Sequence, residues 1–326
     1  VSGTHKAPNA HKAATPPAAR PGIALALGGG GARGLAHLLM LEVLDELGLR
    51  PKVIAGTSIG ALFGAAYASG LSARLIRAHT EEVLSQRFGF ARSLIAARSE
   101  PVLRLLNILP VRSSLLSPEM LLDHVYPTKV ARAFADLAIP LKVIATDFYA
   151  QEQVVIESGD LRRAVAASVA LPALFTPVPH NHRLLMDGGL VNPLPFDVLN
   201  GEADVTVAID VTGASGRVGK RPQPTILAAL VSATQILQRS IVREKLRASR
   251  PDVYIDVDVD QFHVLEFHRF KEILAAAQPA KEQLRRQLER VLGSHPVEGQ
   301  PVEAVAPPPR RKRLAGLRRL ARRHEA

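Results

Sequence analysis

Gly56-Thr57-Ser58-Ile59-Gly60 has the form G-x-S-x-G, a spacing in which a serine hydroxyl can attack an acyl carbonyl. The apolar stretch from Lys52 to Ala55 predicts a strand before it, and the Ala-rich stretch to about Ser69 predicts a helix after it. A sharp strand-to-helix turn lifts the hydroxyl clear of the backbone. Gly56 and Gly60 keep side chains away from an incoming acyl group, and the Ile59 amide can point at the oxyanion that develops. A second glycine cluster, Gly28 to Gly34 (GGGGARG), fits G-x-G-x-x-G at Gly29, Gly31 and Gly34. A dinucleotide loop would want an acidic residue ending the next strand, but that strand ends in Ala55 and enters the serine turn. A phosphate loop would need Gly-Lys-Ser/Thr, which this stretch lacks. Glycines opening a helix can instead aim backbone N–H groups at an acyl oxyanion, so Gly29, Gly30, Gly31 and Ile59 are the candidate donors. Arg33 either adds positive potential there or has a structural or surface role.

A serine nucleophile needs a base. A carboxylate and then a histidine would follow it in the usual triad order, yet His79, His124, His180, His182, His263, His268, His295 and His324 all lie outside any catalytic motif. Asp187-Gly188-Gly189 follows a predicted strand, and its glycines permit a tight turn that holds a carboxylate against another loop. Such an aspartate can take the serine proton directly if burial and hydrogen bonds fix it and raise its basicity. Taken alone, D-G-G also marks an ordinary turn. His37 is expected to pack in the core, and Asp147, Asp197 and Asp210 to serve as caps or turn residues. His180 and His182 would share a face on a strand without further ligands at suitable spacing, so neither a metal site nor any cofactor is expected.

The elements that position these groups alternate along the chain. Strands are expected at Ile23 to Leu27, Lys52 to Ala55, Leu141 to Thr146, Gln153 to Glu157, Leu184 to Met186, Val205 to Ile209 and, as an edge strand, Val253 to Val257. Helical spacing follows from Gly34, Ile59, Ser72, Pro118 and Leu161, then over about Pro224 to Leu246 and Phe270 to Leu292, the last broken or kinked at Pro279. This predicts an α/β fold, three layers with a mostly parallel central sheet flanked by helices. With 326 residues, 47% of them hydrophobic, the chain can bury one large core, assigned here to residues 22–294. Residues 90 to 117 are a candidate lid or insertion, and residues 213 to 220 a polar Gly-rich loop. Cysteine is absent, which excludes disulfides, thiolate metal ligands and cysteine nucleophiles. Residues 1–21 read as a flexible leader with no apolar core of signal-peptide length, and no apolar stretch is long enough to span a bilayer. Of the net charge of +11, the last 17 residues contribute +7 through a basic tail running from Arg310 to Arg323, behind a Pro-rich linker. That tail, within residues 295–326, suits peripheral contact with an anionic membrane or with nucleic acid.

In order along the chain, GGGGARG, GTSIG, ASVALPALFTPV and DGGLVNPLP resemble the four blocks of the patatin-like phospholipase family, in a bacterial member. The resemblance runs from residue 22 to about 210 and implies a patatin-like fold. It implies Ser58 as nucleophile and Asp187 as base of a Ser-Asp dyad without histidine, with Gly30, Gly31 and neighbouring amides forming the oxyanion hole. Ala167, Ser168 and Pro172 match supporting residues. The implied activity is hydrolysis of phospholipid or lysophospholipid esters through an acyl-enzyme, with no specific protein partner and a cytoplasmic or peripheral-membrane location. Two alternatives stand beside it. One is a soluble carboxylesterase with a Ser-His-Asp triad, in which His263 or His268 would be essential; the other is a nonenzymatic lipid- or nucleic-acid-binding protein using the basic tail.

Overall fold

The computed structural model describes residues 21–86, 117–213 and 226–293. Residues 1–20 of the expected leader, residues 90–116 of the candidate insertion, most of the loop at 213–220, and the linker and basic tail with Arg310 to Arg323 lie outside the described residues.

Among the described residues, eight strands form one sheet: β1 (Ile23–Leu27), β2 (Val53–Thr57), β3 (Leu141–Asp147), β4 (Gln153–Ile156), β5 (Val178–His180), β6 (Arg183–Asp187), β7 (Val205–Asp210) and β8 (Val253–Asp256). The order is β5-β6-β3-β2-β1-β7-β8, with β4 also paired to β3. The β3–β2–β1–β7–β8 run is parallel, while β4 and β6 pair antiparallel with β3, and β5 antiparallel with β6. The helices are α1 (His37–Glu46), α2 (Ile59–Ala68), α3 (Ala73–Gln86), α4 (Pro118–Val125), α5 (Leu161–Ser168), α6 (Ile226–Ala248) and α7 (Phe270–Val291). A 3-10 turn over Gly31–Ala36 leads into α1.

Strand β1 is buried on both faces because it sits mid-sheet between two layers, which is why IALAL is apolar throughout and not alternating. Its odd positions, Ile23, Leu25 and Leu27, enter the larger core with residues of α1, α2 and α7. Ala24 and Ala26 face a smaller core, where Ala55 and Ala208 let Leu194, Phe196 and Leu199 approach closely. The expected three layers and mostly parallel sheet are therefore present.

Ends follow local chemistry. Ser117 caps α4 by accepting the Met120 N–H at 3.3 Å with Pro118 in the first turn, and Asp160 caps α5 by accepting the Arg163 N–H at 2.9 Å. Of the break or kink expected at Pro279, the break does not occur: α7 is one helix. Leu274 and Ala277 on one side of the proline, and Ala280, Leu284 and Leu288 on the other, are all buried in the same core, which offsets the missing backbone hydrogen bond. Strand β8 lies at the sheet edge, as its alternation predicts.

The register around β3 decides where the site forms. Val143 and Ile144 pair with β2 on one edge and β4 on the other, whereas Ala145 pairs with β4 and β6. Since β4 keeps to one edge, β6 must occupy the edge used by β2. Strand β6 thus fills the lane that β2 leaves after Thr57, and Asp187 arrives where β2 ends.

Candidate active site

Ser58 stands between β2 and α2 with φ 54° and ψ −122°, a backbone conformation that a non-glycine residue adopts only where its surroundings impose it. The restraint comes from several directions. The Ser58 N–H donates to the Ser168 hydroxyl at 2.8 Å, and that hydroxyl donates to the Ile144 carbonyl at 2.6 Å. Thr57 Oγ1 donates to the Asn192 carbonyl at 2.8 Å. Gly56 and Gly60 lie within tight packing; a Cβ at Gly60 would collide with the Leu27 carbonyl oxygen, so α2 rests directly on the end of β1.

The Ser58 hydroxyl donates to Asp187 Oδ2 at 2.7 Å. The other carboxylate oxygen, Oδ1, accepts the Gly189 N–H at 2.7 Å. The Asp187 backbone is held as well: its N–H donates to the Ala170 carbonyl at 3.1 Å, and its carbonyl accepts from Thr146 Oγ1 at 2.8 Å. Gly188 packs so closely on the Ile144 carbonyl that a side chain has no room there, and a Cβ at Gly189 would press on the Gln238 side-chain amide of α6. With 2% exposure, the Asp187 carboxyl is pushed up to about 6 by burial, against the lowering effect of the bonds from Ser58 and Gly189.

The glycine loop lies against this pair, with Gly29 packed over Ser58 Cβ and Thr57. Its amides differ. The Gly28 N–H donates to Ile209 at 3.0 Å, the Gly29 N–H to Pro193 at 2.9 Å and the Ala32 N–H to Val264 at 2.8 Å. Among the described residues, the N–H groups of Gly30, Gly31 and Ile59 have no backbone acceptor. Gly31 has φ +57°, and a Cβ there would strike the Val264 carbonyl. Gly34 leaves room for the Ile59 side chain.

Arg33 is buried and serves as a tie: Nε donates to the Phe262 carbonyl at 2.8 Å and Nη1 to the Thr212 carbonyl at 2.6 Å. His37 is fully buried; Nε2 bonds the Gly28 carbonyl at 2.8 Å, and burial pushes the imidazole down to about 4, so the ring is neutral at pH 7 and fastens the loop. Asp147 and Asp210 accept from their own turns, at Tyr149, Ala150 and Thr212, as expected. Asp197 does more than that. With Asn192 and Lys245 of α6 it forms a polar knot, Lys245 Nζ lying 2.5 Å from Asp197 Oδ1 and 2.9 Å from the Leu194 carbonyl. That knot braces the chain after the D-G-G turn. His180 and His182 do not share a strand face: β5 ends at His180, and Asn181 and His182 form the β5–β6 turn with positive φ.

A model of the family described as patatin-like phospholipase matches residues 25–200, more than half of the chain. The chain belongs to the patatin-like phospholipase family. Among similar patatin-like or related chains, an NTE family protein of Mycobacterium tuberculosis is 35% identical over 209 residues, covering 64% of this chain and 54% of that one. Human patatin-like phospholipase domain-containing protein 6 is 36% identical over 197 residues, covering 58% of this chain and 13% of that one. The chain thus spans about half the length of the mycobacterial relative. Among solved structures, VipD from Legionella pneumophila has a TM-score of 0.43 and 15% identity, covering 82% of this chain and 67% of that one. The family match takes in the glycine loop, the Ser58 turn, Ser168 and Asp187.

Proposed function

We propose that this patatin-like chain hydrolyses carboxylic esters of phospholipids or lysophospholipids by a Ser58–Asp187 dyad. The observation that carries the reading is the 2.7 Å bond from the Ser58 hydroxyl to a buried carboxylate raised to about 6, a base matched to neutral pH. Asp187 takes the hydroxyl proton as Ser58 Oγ bonds to the ester carbonyl carbon. The N–H groups of Gly30, Gly31 and Ile59 receive the oxyanion, while Gly29, whose amide is engaged with Pro193, supplies close approach. Collapse breaks the ester C–O bond, and the leaving alkoxide takes the proton from Asp187. Asp187 then deprotonates water, which attacks the acyl-Ser58 carbonyl; fatty acid departs and the serine is regenerated.

Among the described residues, no histidine is hydrogen-bonded to Ser58 or Asp187, which favours the dyad over a triad using His263 or His268. The test is release of p-nitrophenol from a short ester and of fatty acid from labelled phosphatidylcholine and lysophosphatidylcholine. Wild type is expected to turn over without added metal, and Ser58→Ala and Asp187→Asn to lose at least about 1,000-fold. Retention of activity by Asp187→Asn, or its loss on replacing His263 or His268 alone, would overturn the dyad.

A further inference from the structure

The β3–β4 and β5–β6 hairpins border an open groove of about 590 Å³ lined by Tyr149, Arg163, His180, His182 and Arg183. No carboxylate lines it. The Arg163 guanidinium bonds only the Pro179 carbonyl, at 2.8 Å, and forms no ion pair among the described residues. Half-exposed Arg183 has two carboxylate neighbours beyond hydrogen-bond distance, the buried Asp147 at 3.7 Å and the exposed Glu152 at 3.8 Å, which leaves its guanidinium N–H groups able to donate to a phosphate. Burial, and next the adjacent Arg163 charge, hold the His180 imidazole below its usual range, with Asp160 acting in the opposite sense.

Beside the groove, Phe148 is 47% and Tyr149 77% exposed, packed edge to face with ring centroids 5.0 Å apart. Exposed aromatic rings next to arginines have the composition of a bilayer interface, where rings sit at headgroup depth and guanidinium groups meet phosphate. The groove is joined to the candidate active site: Arg183 and Asp187 are the two ends of β6, about 13 Å apart along a strand.

We propose that this groove takes the phosphates of phospholipids at a bilayer surface, with Phe148 and Tyr149 seated among the headgroups, so that β6 carries a membrane contact at one end and Asp187 at the other. The proposal rests on the reading of the substrate as a lipid ester, and it makes the enzyme act on assembled bilayers and not only on dispersed lipid.

The chain has no tryptophan, so Tyr149→Trp introduces a single indole that can be excited apart from the remaining tyrosines. In a Ser58→Ala background, vesicles of phosphatidylcholine with phosphatidylglycerol should shift its emission to the blue, and brominated lipid should quench it. Vesicle binding without quenching would assign the contact to the basic tail or another face and overturn the proposal. With Ser58 intact, the double variant Arg163→Gln/Arg183→Gln should lose about 10-fold or more in binding and turnover of the same vesicles, while p-nitrophenyl butyrate hydrolysis stays at the wild-type rate. Unchanged vesicle binding, or an equal loss on both substrates, would also overturn it. Failure of wild type on the soluble ester would instead overturn the dyad, since docking is read on the Ser58→Ala protein.

Discussion

The Ser168 hydroxyl accepts the Ser58 N–H and donates to the Ile144 carbonyl, which makes it the brace for a backbone held at φ 54°. Ser168→Ala removes both bonds, at a cost of about 1–3 kcal/mol for each polar group left buried without a partner, and frees the Ser58 backbone. A lower melting temperature is expected, with kcat down about 10-fold or more and KM little changed; equal kcat in the folded variant would refute the brace. At Asp187 the raised value sets the pH dependence. If Asp187 is the base as proposed, its carboxylate is the working form, so kcat/KM should climb with unit slope below about pH 6 and level off above it. Stability runs the other way. Because the folded value exceeds the unfolded one, this group's contribution is complete below about pH 4 and is lost as pH rises through about 6. Asp187→Asn should therefore be more stable than wild type at pH 8, by about 2–3 kcal/mol, with the gap closing toward pH 4 in denaturant titrations. Ser58 and Asp187 were legible because a strained turn and a tight turn each need glycines at fixed offsets. Thr146, Asn192 and Lys245 were not, since their bonds connect distant parts of the chain and leave no local pattern.

At the scale of elements, α2 meets the end of β1 through Gly60, where a Cβ has no space. Gly60→Ala is expected to destabilise by more than about 3 kcal/mol or to prevent folding, because the obstructing atom is backbone. Gly48 has positive φ, but an added Cβ there meets nothing within 4 Å, so Gly48→Ala should cost only about 1 kcal/mol. Comparable losses in the two variants, measured by denaturant unfolding, would contradict this account. Most strands and helices were readable from apolar runs punctuated by glycine and proline. Strand β5 was not, because three residues, Val178–His180, are too few to carry a period. At Pro279 the break that the local signal allowed is absent, because burial of the helix on either side outweighs it. The positive φ at Asn181 and His182 belongs to a hairpin turn that lacks the usual glycine signal.

For the molecule as a whole, charge is divided unevenly: of +11, the segment from Arg310 onward supplies +7, leaving +4 for the rest. Among the described residues, no helix is long and apolar enough to cross a membrane. Anionic vesicle binding should weaken steeply between 50 and 500 mM salt as screening shortens. Removal of residues 310–326 should lower that affinity further while p-nitrophenyl ester hydrolysis is unchanged; salt-independent binding by sedimentation would argue against an electrostatic contact. The α/β layering was readable at this scale, but the lane shared by β2 and β6 was not, because register is set by pairing and no single segment encodes it. That shared lane has a consequence for biosynthesis. A growing chain emerges with Ser58 long before Asp187, and the two stay apart until β3 has accepted β6 where β2 stops. If they act as proposed, a truncated or half-made product is hydrolytically silent, and the appearance of esterase activity dates the closing of the sheet.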